Sequence, residues 1–278
     1  MIAVIYLSAQ AYKPGIKLLK GQQYEIITNV NGTMQQMGTD VPIESVMTSL
    51  VEVKDASPKG YAVRAVNKHF TFKSSIAGEE MNYDSDKKDD ADGPVGSMFK
   101  DVTNKPDSFT VDTKGYIKAS PEKPAIKNGD KKEGNIMGMM LSSAVANSSS
   151  SPIFNLLPAF SELKVGQQLV DSAETNDDGK LKAVTTYTLL EIKDGKIKFN
   201  IEVTSKMEKS MDMQQMGQNM NISMKSTNTG KGEMVIDQAT GLLISKKIVT
   251  ETNGSAAVMG MEMPITGTST SEIKVKLL

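Results

Sequence analysis

The chain has 278 residues, a formal net charge of −1 and only one arginine, Arg64. This composition argues against a nucleic-acid-binding protein, because such proteins present basic surfaces that are rich in arginine. The lack of cysteine excludes disulfides, thiolate catalysis and zinc–cysteine sites. The length suits one large β domain or two lobes, each with a core of its own.

Residues 1–11 are typical of the end of an export signal. Residues 2–7 form a short apolar run, and Ala9-Gln10-Ala11 has the small-x-small pattern of a signal-peptidase site. Because the basic region of such a signal is missing, we expect the true start to lie upstream, with a first β-strand as the alternative. No other segment approaches the roughly 20 apolar residues of a membrane-spanning helix. The sequence therefore predicts a periplasmic or extracellular protein without a transmembrane segment.

Three motifs occur once in each half of the chain. They are a Gly-Gln-Gln segment at 19–24 and 164–169, the pentapeptide Met-Gln-Gln-Met-Gly at 34–38 and 213–217, and a turn from Asp to Gly at 112–115 and 237–241. Motifs that recur in a fixed order indicate a duplication. We therefore predict that the two halves have the same strand order and that the two pentapeptides lie at equivalent hairpin tips.

The two closing turns invite comparison with a duplicated aspartic protease, in which two carboxylates share a proton. Such enzymes resemble one another in an Asp-Thr/Ser-Gly motif, which Lys114 interrupts in the first turn and Gln238-Ala239 interrupts in the second. We predict instead that each aspartate caps the backbone of its own turn.

Alternation of apolar and polar residues predicts long β-hairpins in both halves. Apolar residues fall on even positions from 24 to 34 and on odd positions from 41 to 53. In the second half, Asp194-Gly195 is typical of a type I′ turn, and the strand after it alternates strictly. The residues predicted to face the core are Ile197, Phe199, Ile201 and Val203, and those predicted to face water are Lys196, Lys198 and Glu202.

The only histidine, His69, lies in a strand of poorer alternation at 61–72. By parity it shares a face with Val63, Ala65 and Asn67 and faces away from Val66, Phe70 and Phe72. We favour a strand histidine without a catalytic or metal-binding role.

The acidic run at 84–92 does not fit an EF-hand, because Lys88 and Phe99 stand where ligands are needed. A solvated loop is expected there, with weak adventitious calcium binding as the alternative.

Residues 135–147 are the best helix candidate, since their apolar residues lack strict alternation. The predicted organisation is an export signal at 1–11, a first β lobe and connector at 12–134, a helical linker at 135–160 and a second β lobe at 161–278. The expected fold class is mainly β, with two related antiparallel lobes that form curved half-barrels or a sandwich and one connecting helix.

The Lys-x-Gly segments, the methionine-dense hairpins, the central helix candidate and the Asp-x-x-x-Gly closing turn together resemble an uncharacterised family of secreted bacterial proteins with a domain of unknown function. The resemblance covers most of residues 15–278. It implies no activity and no site residues, because that family has none assigned.

The 19 methionines cluster at three hairpin tips and in the helix candidate. They keep the strand parity of the core, and methionine lines adaptable hydrophobic surfaces. We therefore expect a pliable apolar cavity. The predicted ligand-binding residues are Met207, Met211, Met213, Met220, Ile222 and Met224.

The leading functional interpretation is a non-catalytic exported protein that binds a hydrophobic ligand, a lipid or the acyl part of a lipoprotein. It draws partly on an analogy to lipoprotein-carrier half-barrels. One alternative is a periplasmic Cu(I)-binding protein that uses the thioethers of Met211, Met213 and Met216. Another is a structural or protein-interaction module. No catalytic residue and no cofactor are predicted, because no pair of titratable groups stands out.

Overall fold

The computed structural model describes residues 10–36, 38–76, 79–91, 96–99, 102–118, 152–176, 179–215, 218–258 and 261–278. The first half contains β1 (Ala11–Tyr12), β2 (Gln23–Gln36), β3 (Thr39–Ser57), β4 (Gly60–Ile76), β5 (Glu79–Asp84), α1 (Lys88–Ala91), α2 (Gly96–Phe99), β6 (Pro106–Val111) and β7 (Ile117–Lys118). The second half contains β8 (Leu163–Lys164), β9 (Gln168–Thr175), β10 (Lys180–Lys193), β11 (Lys196–Gln215), β12 (Gln218–Asp237), β13 (Leu243–Val258) and β14 (Met261–Leu277).

The long strands form one antiparallel sheet in the order β7-β6-β4-β3-β2-β14-β13-β12-β11-β10-β9, with β5 also paired to β4. β1 and β8 form a separate two-stranded sheet. The large sheet is open, since β7 and β9 lie at its two ends. The predicted mainly β, antiparallel fold class is confirmed. The two halves share the sheet because β14 pairs with β2 along its length.

The two Gly-Gln-Gln segments fold into equivalent turns. Gly21 and Gly166 both have a φ of 86°, a left-handed conformation that glycine adopts without strain. The amide of Gly21 donates to the carbonyl of Val53 at 2.8 Å, and that of Gly166 donates to the carbonyl of Leu189 at 2.7 Å. In each copy the side-chain Oε1 of the first glutamine accepts a hydrogen bond from the amide three residues earlier, at 2.7 Å and 2.9 Å. The sequence repeat is therefore a structural repeat at these turns.

The strand order also repeats. In the first half β2, β3, β4 and β6 are neighbours in the sheet, as are β9, β10, β11 and β12 in the second. A turn from an aspartate then ends β6 and β12. The Oδ1 atom of Asp112 accepts from the amide of Lys114 at 2.9 Å, and that of Asp237 accepts from the amide of Thr240 at 2.7 Å. Each aspartate therefore caps its own turn, as the sequence predicted.

The Met-Gln-Gln-Met-Gly segments, by contrast, do not lie at equivalent tips. The first joins β2 to β3, the first hairpin after its Gly-Gln-Gln turn. The second joins β11 to β12, which are the third and fourth strands after the corresponding turn. The predicted equivalence of the two tips is wrong, because a short segment of biased composition recurs at different positions in the repeated strand order.

The hairpin of β10 and β11 follows the sequence pattern closely. Asp194 and Gly195 have φ values of 50° and 71°, both positive as a type I′ turn requires. The inward face of β11 is confirmed for its fully buried residues Ile197, Phe199 and Ile201, and Val203 packs half-buried against the same cluster. On the opposite face Lys196 and Glu202 are exposed, and Lys198 forms a 2.8 Å ion pair with Glu233.

One face of the sheet, called the inner face below, carries the main hydrophobic core. Strand residues such as Ile26, Val51, Phe109, Phe199 and Met234 line it. Two segments outside the large sheet, at 12–20 and 152–163, cover it. They contribute Tyr12, Ile16, Leu18, Ile153, Phe154, Leu157 and Leu163. We call the whole cluster the base core.

The first covering segment is tied to the closing turns of both halves. The amide of Ile16 donates to the carbonyl of Thr113 at 2.8 Å, and the amide of Lys17 donates to the carbonyl of Thr240 at 2.8 Å. The hydroxyl of Tyr61 also donates to the carbonyl of Ile16 at 2.8 Å. The base of the sheet is therefore closed by hydrogen bonds as well as by apolar packing.

His69 faces away from Phe70 and Phe72, as predicted, but the predicted face shared with Val63 and Ala65 is wrong because β4 contains a bulge. Thr48 pairs with His69 but Ser49 pairs with Asn67, so Lys68 is the extra residue. The bulge reverses the parity of the strand, and residues on both sides of it face the inner side. The buried ones are Val63, Ala65, Phe70 and Phe72. His69 therefore lies on the outer face.

Adjacent strands approach very closely at glycines on the inner face. A Cβ atom at Gly232 in β12 would collide with the backbone oxygen of Lys247 in β13. Any side chain at this position would force the two strands apart, which explains why glycine occupies it.

Some predictions fall on parts of the chain that are not described. The helix predicted at 135–147 and residues 1–9 of the predicted signal lie outside the described residues, and the boundaries of the two lobes stay a prediction. The helices α1 and α2 have four residues each. Within the described ranges no helix is long and apolar enough to cross a membrane.

Candidate ligand-binding face

A separate apolar cluster lies on the inner face toward the hairpin tips. Its buried residues are Ile222 and Met224 of β12, Ala256 of β13 and Ile265 of β14. Half-buried methionines from three strands pack against them, namely Met34, Met207 and Met263. We call these residues the tip cluster.

The strand register explains why these residues meet. Met224 pairs with Ala256, and Ala256 in turn pairs with Met263. Residues directly opposite each other on antiparallel strands project from the same face of a sheet. The alternation that places Met224 inward therefore also places Ala256 and Met263 inward, one strand and two strands away.

Half of the predicted ligand-binding residues are found in the tip cluster. Met207, Ile222 and Met224 belong to it. The side chains of Met211, Met213 and Met220 lie outside the described part of the chain. Their backbones pair Met211 with Ile222 and Met213 with Met220. A role in ligand binding stays a prediction for all six residues.

Sequence reasoning missed the members of the tip cluster that come from other hairpins. Met34 lies beside the first Met-Gln-Gln-Met-Gly segment, and Met263 lies in the methionine-rich stretch near a third tip. Both stretches are visible in the sequence as methionine-rich. The missing information was the pairing of β14 with β2, which brings Met34 opposite Gly267 and so joins the first hairpin to the last.

The tip cluster and the base core differ in what packs on them. Two segments outside the large sheet contribute apolar side chains to the base core. Every described hydrophobic member of the tip cluster belongs to the sheet itself. The tip cluster is therefore an apolar surface built by one face of the sheet, with methionines at its half-exposed margin.

The inner face between the two clusters is polar. The Nδ2 atom of Asn228 donates to the Oγ atom of Ser205 at 3.1 Å, and the Oγ1 atom of Thr252 donates to the Oδ1 atom of Asn228 at 2.8 Å. This ladder crosses β11, β12 and β13, and all three side chains are half-buried. Because their polar atoms satisfy one another, the ladder can separate two apolar regions at little cost.

Lys246 is a charged residue of the inner face that the functional interpretation did not consider. It pairs with Met234 in β12 and with Ile273 in β14, and burial lowers the pKa of its ammonium group. No acidic partner for it occurs among the described residues. Its even position between Ile244 and Ile248 was a signal in the sequence. A half-buried cation of this kind can pair with the anionic group of a ligand.

Tyr12 is a buried titratable residue of the base core. Burial, and to a lesser degree the charge of Tyr116, raises the pKa of Tyr12 to about 12, so its phenol stays neutral at ordinary pH. A shallow cleft beside it is lined by residues such as Pro14, Ile16 and Asn155, with no carboxylate and no histidine in the lining. General acid–base catalysis by a pair of residues needs two titratable groups within reach of one substrate.

The sequence profile of a family of unknown function, DUF6263, matches residues 58–243. The match begins in the turn before β4 and ends at the first residue of β13, so it spans parts of both halves. No curated protein matches the sequence.

Two solved structures are similar to this chain over most of its length. A lipovitellin structure, described for its lipid–protein interactions, is similar over 94% of this chain with 12% identity and a TM-score of 0.47. The chain spans only 25% of the length of that lipovitellin chain. The β domain of the Bordetella autotransporter BrkA is similar over 92% of this chain and 99% of its own, with 6% identity and a TM-score of 0.27. Both scores lie below 0.5, so neither likeness supports a functional argument.

Proposed function

We propose that this chain, which belongs to the family of unknown function DUF6263, is an exported, non-catalytic protein that binds a hydrophobic ligand such as a lipid or an acyl group. The binding surface is the tip cluster. The observation that carries the proposal is that, among the described residues, this apolar cluster is built by strands alone, without the covering segments that pack on the base core.

The residue types of the tip cluster suit an adaptable apolar ligand. Five of its members are methionine or alanine, each from a different strand: Met34, Met207, Met224, Ala256 and Met263. Methionine has three rotatable bonds and a polarizable thioether, so it can repack around ligands of different shape.

The direct test is titration of the whole chain with a fluorescent fatty-acid probe. The parent should bind the probe, and a variant with Met34, Met207 and Met263 replaced by leucine should bind it similarly, because leucine nearly conserves volume and apolarity. Met207→Lys should weaken binding by about tenfold or more, because it places a charge on the apolar surface.

A matched control lies next to Met207 in the chain. Glu208→Lys introduces the same side chain on the outer face, where Glu208 is exposed, and should leave probe affinity unchanged. Absence of probe binding by the parent would overturn the proposal. Equal losses in Met207→Lys and Glu208→Lys would overturn the assignment of the inner face as the binding surface.

Copper binding is an alternative outcome of the same experiment. A Cu(I) site needs the thioether ligands that leucine lacks. If the parent binds Cu(I) tightly, binds no probe, and loses Cu(I) when Met211, Met213 and Met216 are replaced by leucine, the copper-binding interpretation replaces the hydrophobic-ligand proposal. If the parent binds neither, the surface is better explained as a protein-interaction module.

A further inference from the structure

His69 lies beside two carboxylates on the outer face of the sheet, away from the tip cluster. Its Nδ1 atom is 3.1 Å from the Oδ2 atom of Asp86 and 3.8 Å from the Oδ1 atom of Asp84. These three atoms all lie within 4.8 Å of one another. Side-chain alternation did not predict this arrangement, because the bulge at Lys68 changes which residues share a face with His69.

The local backbone holds the three side chains in place. The amide of Ser85 donates to the carbonyl of Phe70 at 2.9 Å, and the amide of Phe70 donates to the Oγ atom of Ser85 at 3.0 Å. These reciprocal bonds attach the loop after β5 to β4 next to His69. Within the loop, the amide of Asp86 donates to the Oδ1 atom of Asp84 at 3.0 Å. The cluster is therefore built on fixed backbone, and its geometry does not depend on two long mobile side chains.

The Nδ1 atom of His69 provides a second and independent observation. It is shielded from solvent and makes no hydrogen bond, although Asp86 is only 3.1 Å away. A buried polar atom without a partner is costly. Because the ring nitrogen and the oxygen are close without being aligned for a hydrogen bond, a shared partner placed between them would satisfy both.

The distances suit a metal ion as that partner. Donor atoms bonded to Zn²⁺ at roughly 2.0–2.2 Å lie roughly 3.3–3.6 Å apart in a tetrahedral site. The two distances from the ring nitrogen to the carboxylate oxygens, 3.1 Å and 3.8 Å, lie on either side of this range. Small side-chain rotations would bring all three donors to bonding distance.

The donor set also selects the class of ion. One neutral imidazole and two carboxylates balance the charge of a divalent cation, and mixed nitrogen and oxygen donors suit Zn²⁺ and similar first-row ions. Ca²⁺ prefers oxygen ligands alone, and Cu(I) prefers sulfur. The side chain of Asp86 is 70% exposed, which leaves room for water at the remaining coordination position.

We propose that His69, Asp84 and Asp86 form a binding site for Zn²⁺ or a similar first-row divalent metal ion on the outer face of the sheet. The site is independent of the proposed hydrophobic-ligand surface, because β4 and the loop after β5 contribute no member of the tip cluster. The ion would join the end of β5 to β4 and so stabilise the outer edge of the first half.

The experiment is titration of the chelator-treated whole chain with Zn²⁺, by calorimetry and by competition with a chromogenic chelator. The parent should bind one ion per chain. Asp86→Asn should weaken binding by about tenfold or more and His69→Gln should abolish it, since each removes a ligand. The Asp86 carboxylate accepts no hydrogen bond from the described residues, and its exposure makes this variant the safer one for folding.

Asp89→Asn is the matched control. It removes the same charge from an exposed aspartate in the neighbouring helix α1 that is not part of the cluster, so it should leave the affinity for Zn²⁺ unchanged. As the only histidine in the chain, His69 also gives an unambiguous imidazole NMR signal, which should shift on addition of one equivalent of Zn²⁺ and stay unshifted with Ca²⁺.

Three results would overturn the proposal. They are absence of Zn²⁺ binding by the parent, equal binding by His69→Gln and the parent, and equal losses in Asp86→Asn and Asp89→Asn. The last would mean that the acidic loop attracts cations by its charge alone.

Discussion

The base core and the tip cluster are built from the same long strands but differ in how they are closed. The base core combines aromatic and branched side chains with two covering segments that hydrogen-bond to the closing turns of both halves. The described members of the tip cluster are all side chains of the sheet, with methionines at the margin. The comparison shows that one face of a single sheet can supply a rigid core at one end and an adaptable surface at the other.

The largest expected effect is at the base. Phe199→Ala should lower the free energy of unfolding by about 3–5 kcal/mol, because it removes a fully buried ring and leaves a cavity. The measurement is urea denaturation, with the exposed Lys196→Ala as the control, expected within about 0.5 kcal/mol of the parent. A loss below about 1 kcal/mol would show that the base core is not the rigid end of the comparison.

The next-largest effect concerns the stability of the base core at alkaline pH. The pKa of Tyr12 is about 12 in the folded chain and 10.0 ordinarily. Between these values the unfolded chain releases the phenolic proton first, so the free energy of unfolding falls as pH rises, by roughly 2–3 kcal/mol. Tyr12→Phe should remove this part of the pH dependence. Identical alkaline profiles for the variant and the parent would mean that the ring of Tyr12 is not held in the base core.

Truncating a side chain of the tip cluster should lower the free energy of unfolding by less than truncating one of the base core. Met224→Ala should lower the free energy of unfolding by about 2 kcal/mol, near the lower end for a buried methionine, because the open surface can relax around the change. Amide hydrogen exchange should become faster in β12 and β13 near the tip and stay unchanged at the base. A loss as large as that of Phe199→Ala, with faster exchange throughout the sheet, would show that the two ends are not distinct.

The smallest effect concerns Lys246, whose cross-strand neighbours Met234 and Ile273 belong to the base core. Lys246→Met should raise the free energy of unfolding on the order of 1 kcal/mol at neutral pH, because it removes a half-buried charge without an acidic partner. In the parent, the free energy of unfolding should also rise with pH toward the ordinary pKa of 10.5, since only the unfolded chain still binds the proton in that window. The exposed Lys247→Met is the control. A loss of stability in Lys246→Met alone would indicate that the ammonium group has a stabilising partner.

Much of the fold could be predicted from the sequence. The inward residues of β11, the Asp194-Gly195 turn and the capping aspartates at 112 and 237 all follow from side-chain alternation or from local turn chemistry. Half of the predicted ligand residues also share one cluster in the structure, because the same alternation places them on the inner face. The ligand itself, export and the absence of catalysis stay predictions.

The sequence by itself determined strands, turns and faces wherever the deciding interactions are local, since a period of two and a positive φ are properties of a few consecutive residues. Only the tertiary structure decided which strands pair and in which register. The pairing of β14 with β2 merged two predicted lobes into one sheet, and the unpaired Lys68 moved His69 to the outer face. Pairing of this kind depends on hydrogen bonds between residues that are distant in the chain, and one extra residue reverses every side chain beyond it.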